Sequence, residues 1–297
     1  FQKLFKDGRI KFGMSDDSSP KRKIFLNERL SKGDTKTPSS LLLNSGTTKE
    51  GTNEISELFG KKGIFDYPKP TKLIETLLSF GSSSNCIVLD FFAGSGTLGH
   101  ALFKKNLEDN YKRKFILVQY PEKCDAQSVA FQEDYTTIAD ISKERVLRVI
   151  NQISEKIKTQ NSTESKQDLG FKVFKLAKSN YKVWADVNDE AKLKDQLKLF
   201  EDPLIENYKD LDVIYEIILK EGYSLNSKIE EFQTKPNKIY KISDDEFFFF
   251  VTLDKQVKSE SIDTLKLDEN VMFACLDSAL DDSQKTNLLK ICKLRTI

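Results

Sequence analysis

Between Val88 and Gly99 the chain reads Val-Leu-Asp-Phe-Phe-Ala-Gly-Ser-Gly-Thr-Leu-Gly, an apolar run closed by an acid, then glycines, then the start of a helical pattern. Gly94 and Gly96 permit backbone angles and a close backbone approach that a Cβ would obstruct, so a flat cofactor can lie against the chain there. The helix that follows offers free N–H groups and partial positive charge, worth ~0.3–1 kcal/mol toward a carboxylate or phosphate. The expected ligand is anionic or zwitterionic.

Gly94-Ser-Gly96-Thr-Leu-Gly99 also satisfies G-x-G-x-x-G, the dinucleotide fingerprint. A nicotinamide site wants an acid about 20 residues on, at the end of the second strand, to hold the ribose. Here that strand ends at Gln119, with Glu122 just beyond. Asp90 ahead of the loop and Phe92-Ala-Gly94-Ser-Gly96 instead match the F-x-G-x-G pattern of amino-methyltransferases. A nicotinamide-dependent oxidoreductase is kept as a rival, and a purely structural turn as the bland alternative.

The elements that position this loop follow from periodicity. Leu73, Ile74, Leu77 and Leu78 fall at helical spacing within Thr71–Phe80, just after Pro70. Ile87-Val-Leu89 is expected as a short, fully apolar strand, Leu98–Asn106 as a helix and Phe115–Val118 as a second apolar strand, which together make a βαβ unit. Ile138–Ile157 continues as a helix. Residues 1–60 mix short apolar stretches with turns, including a strand entry at Arg9–Phe12 and a loop at Ser15–Pro20.

Polar and charged residues at 158–168 read as a linker between a portion at 1–157 and an α+β domain at 169–297. In the latter we expect a strand at Phe171–Leu176 and helices at Leu193–Phe200 and Leu211–Glu221. A hairpin should join Ile239–Ile242 to Phe247–Leu253, followed by a strand at Val271–Leu276 and a helix at Ser283–Leu294. Phe247–Phe250 read as a strand buried on both faces rather than a base-stacking platform.

Composition narrows the chemistry. His100 is the only histidine, so a site with two His ligands cannot be built from this chain, and no metal site is expected. Cys86, Cys124, Cys275 and Cys292 lack C-x-x-C spacing and read as reduced thiols. No run of about 18 apolar residues is available to span a membrane, and Phe1–Ile10 lacks a secretory apolar block, so a soluble, cytoplasmic protein is expected. The first residue is Phe1 rather than Met, which suggests further sequence upstream. Net charge is +1. Seven basic residues against three acids at 1–23 could meet phosphate, whereas ten acids against four lysines at 186–216 would repel a DNA backbone.

Phe65-Asp-Tyr-Pro-Lys-Pro-Thr-Lys-Leu-Ile74, Leu89–Thr97, Arg113–Gln119 and Thr137–Arg145 occur in that order. In these segments the chain resembles the modification subunits of type III restriction-modification systems. Weaker similarity runs through Asp7–Ile10, Glu54–Phe59, Gly170–Phe174 and Lys285–Asn287.

The resemblance implies a Rossmann-like class I methyltransferase fold, partial here, with a smaller C-terminal α+β domain. It also implies transfer of a methyl group from S-adenosyl-L-methionine to adenine N6 in a short DNA sequence. Carried over by position, Phe92, Gly94, Gly96 and Thr97 lie under the cofactor with Asp90 beside them. Tyr67, Pro68, Lys69 and Pro70 stand at its methionine end, and Gln119 and Glu122 are candidates for the ribose hydroxyls. The implied partners are double-stranded DNA, a second modification subunit and the restriction helicase-nuclease.

One family feature is missing. In this permuted class the catalytic D-P-P-Y segment precedes the cofactor motifs, and it requires adjacent prolines. The seven prolines here include no adjacent pair. That motif accepts the hydrogens of a poorly nucleophilic adenine amine and stacks on the flipped base. No catalytic residue is therefore assigned, and the chain alone is expected to be inactive. The alternative from a different class is a non-catalytic binding or assembly module derived from such an enzyme.

Overall fold

The computed structural model describes residues 1–13, 19–31, 41–159, 167–183 and 202–297. The chain divides into two units, Phe1–Phe171 and Lys172–Ile297.

The first unit opens with helix α1 (Gln2–Lys6), an antiparallel pair β1 (Ile10–Lys11) and β2 (Lys21–Arg22), and helix α2 (Leu26–Ser31). Helix α3 (Thr48–Phe59) was hidden in a stretch read as turns. Its start is a capping box: the Thr47 hydroxyl accepts the Glu50 amide while the Glu50 carboxylate accepts the Thr47 amide. Gly60, in the left-handed region at φ 71°, ends it.

Helix α4 (Thr71–Gly81) begins behind Pro70, whose ring cannot continue a helix backwards. Strand β3 (Ile87–Asp90), helix α5 (Thr97–Asp109) and strand β4 (Lys114–Leu117) then form a parallel βαβ unit, with Val88 opposite Phe115 and Asp90 opposite Leu117. The short helix α6 (Val129–Gln132) and the long helix α7 (Ile138–Thr159) follow.

Side chains alternate across a strand, so β3 and β4 have two faces. The inner face, Val88, Phe115 and Leu117, packs on Leu78, Leu98, Ala101 and Leu102 of α4 and α5. Phe103 of α5 and Val146, Val149 and Ile153 of α7 extend that core. The outer face of these apolar strands is open: Ile87 is 62 %, Leu89 56 %, Ile116 50 % and Val118 49 % exposed. An apolar sequence announces that a strand can be buried on both faces, and no described element does so here.

Residues 160–166 of the expected linker and the whole expected helix at 193–200 lie outside the described residues, as do 15–18 of the expected N-terminal loop. Leu169 and Phe171 pack on the core of the first unit.

The second unit is built on a five-stranded sheet in the order β5 (Lys228–Gln233), β6 (Lys238–Ser243), β7 (Phe248–Val251), β8 (Met272–Cys275), β9 (Lys293–Thr296). The β5–β6 and β6–β7 pairings are antiparallel, whereas β7–β8 and β8–β9 are parallel. Helices α8 (Asp210–Lys220), α9 (Ser259–Asp263) and α10 (Asp282–Ile291) accompany it. Ile214, Ile217 and Ile218 of α8 join Ile239, Ile242, Phe249 and Phe273 in one core.

Three local expectations change in this unit. Residues 171–176 form no strand; there the Lys172 ammonium donates to the Leu225 and Ser227 carbonyls at 3.0 Å each. The last helix stops at Ile291, because the chain beyond it pairs with β8 in register Met272–Lys293 to Cys275–Thr296. In the phenylalanine run, Phe249 and Phe250 are buried while Phe248 is 38 % exposed. Tyr223 stacks on Phe247 and Phe249 at 4.2 and 4.8 Å between ring centroids.

Candidate functional site

Strand β3 delivers Asp90 to the mouth of the βαβ unit, where its Oδ1 accepts the Phe92 amide at 3.1 Å and turns the chain. The turn is fastened to the end of the second strand. Ala93 N–H donates to the Val118 carbonyl at 3.1 Å, Val118 N–H donates to the Asp90 carbonyl at 2.8 Å, and Gly94 N–H donates to Gln119 Oε1 at 2.7 Å. Gln119, assigned by resemblance to a ribose, thus has its carbonyl oxygen engaged by the loop.

Gly94 and Gly96 lie at φ 53° and 75°, in the left-handed region that side chains rarely adopt. Gly96 also makes room within the protein: a Cβ there would stand 3.0 Å from the Ser142 carbonyl oxygen of α7. The Ser142 hydroxyl donates to the Gly94 carbonyl. The smallness of Gly96 therefore lets the loop seat against α7, a use the sequence pattern did not reveal. At Gly94 a Cβ would meet only ordinary contact, with Phe65 Cζ 3.5 Å away.

Helix α5 starts at Thr97 without a side-chain cap, which leaves its first-turn N–H groups with no side-chain acceptor. Thr97 reaches the Tyr67–Pro70 segment, its Oγ1 donating to the Lys69 carbonyl at 3.3 Å. In that segment Pro68 and Pro70 are buried, whereas Tyr67 and Lys69 are exposed. Tyr67 sits at φ 53°, unusual for a residue with a side chain. Tyr67 at 81 %, Phe92 at 84 % and Tyr120 at 80 % exposure present aromatic surface around an open loop. Glu122 stands apart: it is exposed, and its backbone carbonyl accepts the Ile138 amide at 2.9 Å.

Behind the loop lies a polar network that the sequence did not disclose. Arg145 of α7 is 0 % exposed, and its Nη1 donates to Ser95 Oγ at 2.8 Å and Thr97 Oγ1 at 2.7 Å. Its Nη2 lies 3.4 Å from His100 Nδ1 and 3.7 Å from Glu54 Oε2. Glu54 in turn accepts the Thr71 amide at 2.9 Å and hydroxyl at 2.8 Å. Burial pushes the Arg145 pKa down to about 10, opposed by the Glu54 charge. Burial, then the positive charge of Arg145, Lys104 and Lys156, pushes His100 down to about 3, so the imidazole is neutral.

Gly51 was likewise missed. A Cβ there would fall 2.3 Å from the Pro68 carbonyl oxygen, so α3 lies directly against the Tyr67–Pro70 backbone. The signal that could have found this helix is Thr47-x-x-Glu50.

Two shallow hollows of about 280 Å³ each flank α3, one lined by Asn53, Ser56 and Lys61 and the other by Glu50, Glu54, Pro70 and Lys72. Neither contains the glycine loop, whose chemistry is on an open face, so backbone donors and charge define the site better than concavity does. All four cysteines are free thiols, with Cys275 and Cys292 buried and the other two partly so. Among the described residues no helix is long and apolar enough to cross a membrane.

The family model described as DNA methylase matches residues 3–127, which include β3, the glycine loop, α5 and β4. The Mod subunit of the type III restriction-modification enzyme StyLTI of Salmonella typhimurium is 37 % identical over 177 residues, 60 % of this chain and 26 % of that protein. The EcoP15I Mod subunit of Escherichia coli is 33 % identical over 175 residues, 59 % of this chain and 24 % of that protein. The type II methyltransferase M.KpnI of Klebsiella pneumoniae is 35 % identical over 99 residues, 33 % of this chain and 24 % of its own. The chain spans about a quarter of the length of these relatives. The chain is thus similar to the DNA methylase family over the segment that holds the glycine loop, and to the modification subunits of type III restriction-modification enzymes.

Proposed function

We propose that this chain is the S-adenosyl-L-methionine-binding portion of a Rossmann-like DNA adenine-N6 methyltransferase of a type III restriction-modification system. The observation that carries it is the join of β3 to α5 within the family-matched segment, where an acid at a strand end stands beside an uncapped helix N-terminus.

That donor set suits a zwitterion. The first-turn N–H groups of α5 and the exposed Lys69 would receive the carboxylate of the methionine moiety, and Asp90 its ammonium. Phe92, with Tyr67 on the neighbouring segment, offers apolar surface to a flat ring. Gly94, Gly96 and Thr97 shape the floor, while Pro68 and Pro70 hold Lys69 in place. Gln119 acts by fixing the loop through Gly94; one hydrogen of its amide nitrogen goes to the Tyr120 carbonyl and the other is left for a hydroxyl, and Glu122 is the weakest member of the set. When bound, the cofactor supplies the methyl group. Orientation and charge complementarity are what this chain contributes.

Activation of the adenine amine needs the D-P-P-Y motif, which this chain does not contain. We assign that step, with DNA recognition, to polypeptide that would cover the exposed face of Ile87, Leu89, Ile116 and Val118. A second modification subunit and the restriction helicase-nuclease are the further partners of this reading, and the cytoplasm its location. The second reading is a binding or assembly module that never catalyses. The family match favours both over a nicotinamide-dependent oxidoreductase.

Calorimetric titration of S-adenosylmethionine into the chain, with NADH as a parallel ligand and Gly94→Val as control, tests the site. Binding of the first alone, lost in the control, is the expected result. Binding of NADH alone overturns the proposal. Addition of a D-P-P-Y-bearing segment in trans then separates the split enzyme, which methylates DNA, from the module, which forms a complex and remains inactive.

A further inference from the structure

Thr71 and Thr97 open the two helices whose N-termini frame the proposed cofactor site, and one ion pair, fully buried at Arg145 and partly buried at Glu54, reaches both. Glu54 holds the first through the Thr71 amide and hydroxyl, at 2.9 and 2.8 Å. Arg145 holds the second through the Ser95 and Thr97 hydroxyls, at 2.8 and 2.7 Å. Between them Arg145 Nη2 and Glu54 Oε2 stand 3.7 Å apart, a charge contact rather than a hydrogen bond.

We propose that Glu54 and Arg145 are positioning residues for the cofactor: a strut, fully buried at its Arg145 end, that sets the separation of the Tyr67–Thr71 segment from the Gly94–Thr97 loop. The inference rests on the proposed S-adenosylmethionine site, to which both segments belong.

Three features make this more than incidental packing. A planar guanidinium can serve two hydroxyls with one nitrogen and face a carboxylate with the other, a fork that a lysine ammonium cannot reproduce. Arg145 is fully buried and its Nε has no partner among the described residues, so the group is held by these contacts and not by solvent. Gly51 lies three residues before Glu54 on the same face of α3, where its missing side chain admits the Pro68 carbonyl. One face of α3 thereby seats the proline segment and ties it, through Arg145, to the loop.

The test uses Glu54→Gln, which keeps an acceptor for Thr71 but removes the charge, and Arg145→Lys, which keeps the charge but removes the fork. Amide hydrogen exchange is followed at residues 69–73 and 94–99. Either variant should accelerate exchange in both segments by about tenfold, with β6–β8 of the second unit unchanged. Acceleration in Glu54→Gln confined to 69–73 would overturn the strut.

A titration with S-adenosylhomocysteine runs in parallel, and each variant is expected to weaken its Kd by about tenfold while remaining folded by thermal unfolding. Affinities within about twofold of the parent would overturn the positioning role. If the parent chain itself fails to bind, the proposed cofactor site fails with it, and the exchange experiment alone decides whether the strut couples the two segments.

Discussion

Gln119 accepts the Gly94 amide at 2.7 Å, so a residue two positions beyond the second strand clamps the loop that leaves the first. Its Nε2 donates to the Tyr120 carbonyl at 3.0 Å, which fixes the orientation of the amide. Gln119→Leu should leave the Gly94 N–H unpaired and cost about 1–3 kcal/mol, whereas Gln119→Glu retains an oxygen acceptor and should cost less. Thermal unfolding gives the order, and exchange at the Gly94 amide shows whether the loss is local. Equal stability of Gln119→Leu and the parent would mean that the clamp contributes nothing.

This contact also marks where sequence inference stops. The βαβ unit was legible because apolar runs, a glycine loop and a helical period occur together between Ile87 and Leu117. The role of Gln119 was not, since its partner lies 25 positions away and depends on strand register. Helix α3 was hidden because Gly51 and several polar residues obscure its period, although its capping box stood in plain view. Arg145 entered the sequence reading only as the last residue of the Thr137–Arg145 segment. Only the tertiary structure places it, fully buried, between Ser95, Thr97 and Glu54. At the far end, Leu294 fits a helix or a strand equally well, and pairing with β8 decides for the strand from Lys293 onward, after the helix has ended at Ile291.

Two helical glycines should respond with opposite sign to the same substitution. At Gly51 an added methyl would meet backbone, the Pro68 carbonyl oxygen at 2.3 Å and the Pro70 nitrogen at 2.9 Å, so Gly51→Ala forces α3 from the proline segment at about 1–3 kcal/mol. At Gly81, the last residue of α4, a Cβ has nothing within 4 Å, and Gly81→Ala should stabilise by up to about 1 kcal/mol through helix propensity. Denaturant midpoints of the two variants measure the contrast.

His100 should give the protein a pH-dependent loss of stability on the acid side. Its folded pKa of about 3 lies below the ordinary 6.5, so between those values the unfolded chain binds the extra proton. Stability therefore falls as pH drops through that window, by at most about 1.4 kcal/mol per pH unit, and is unaffected by this group above it. The residue is only partly buried, which makes that slope an upper bound. His100→Gln should flatten the acid limb of a stability-against-pH curve, and the imidazole of the parent should show no NMR titration between pH 5 and 8. A titration midpoint near 6.5 would contradict the enclosure by Arg145 and its neighbours.

The outer face of β3 and β4 gives the sharpest separation between the chain alone and the chain with a partner. Leu89 is 56 % and Ile116 50 % exposed, and they pair across the two strands. If that face is solvent in the chain alone, Leu89→Lys and Ile116→Lys change stability by less than about 0.5 kcal/mol and improve solubility. Were the face covered within the chain, each would bury an unpaired ammonium and cost several times more. Parallel sheets are ordinarily covered on both faces. On the proposed function, a D-P-P-Y-bearing segment supplied in trans should therefore dock here, and the same lysines that the chain alone tolerates should abolish complementation. Thermal unfolding and a methylation assay on identical variants read the two halves of this expectation, and lysines harmless in both would place the docking surface elsewhere.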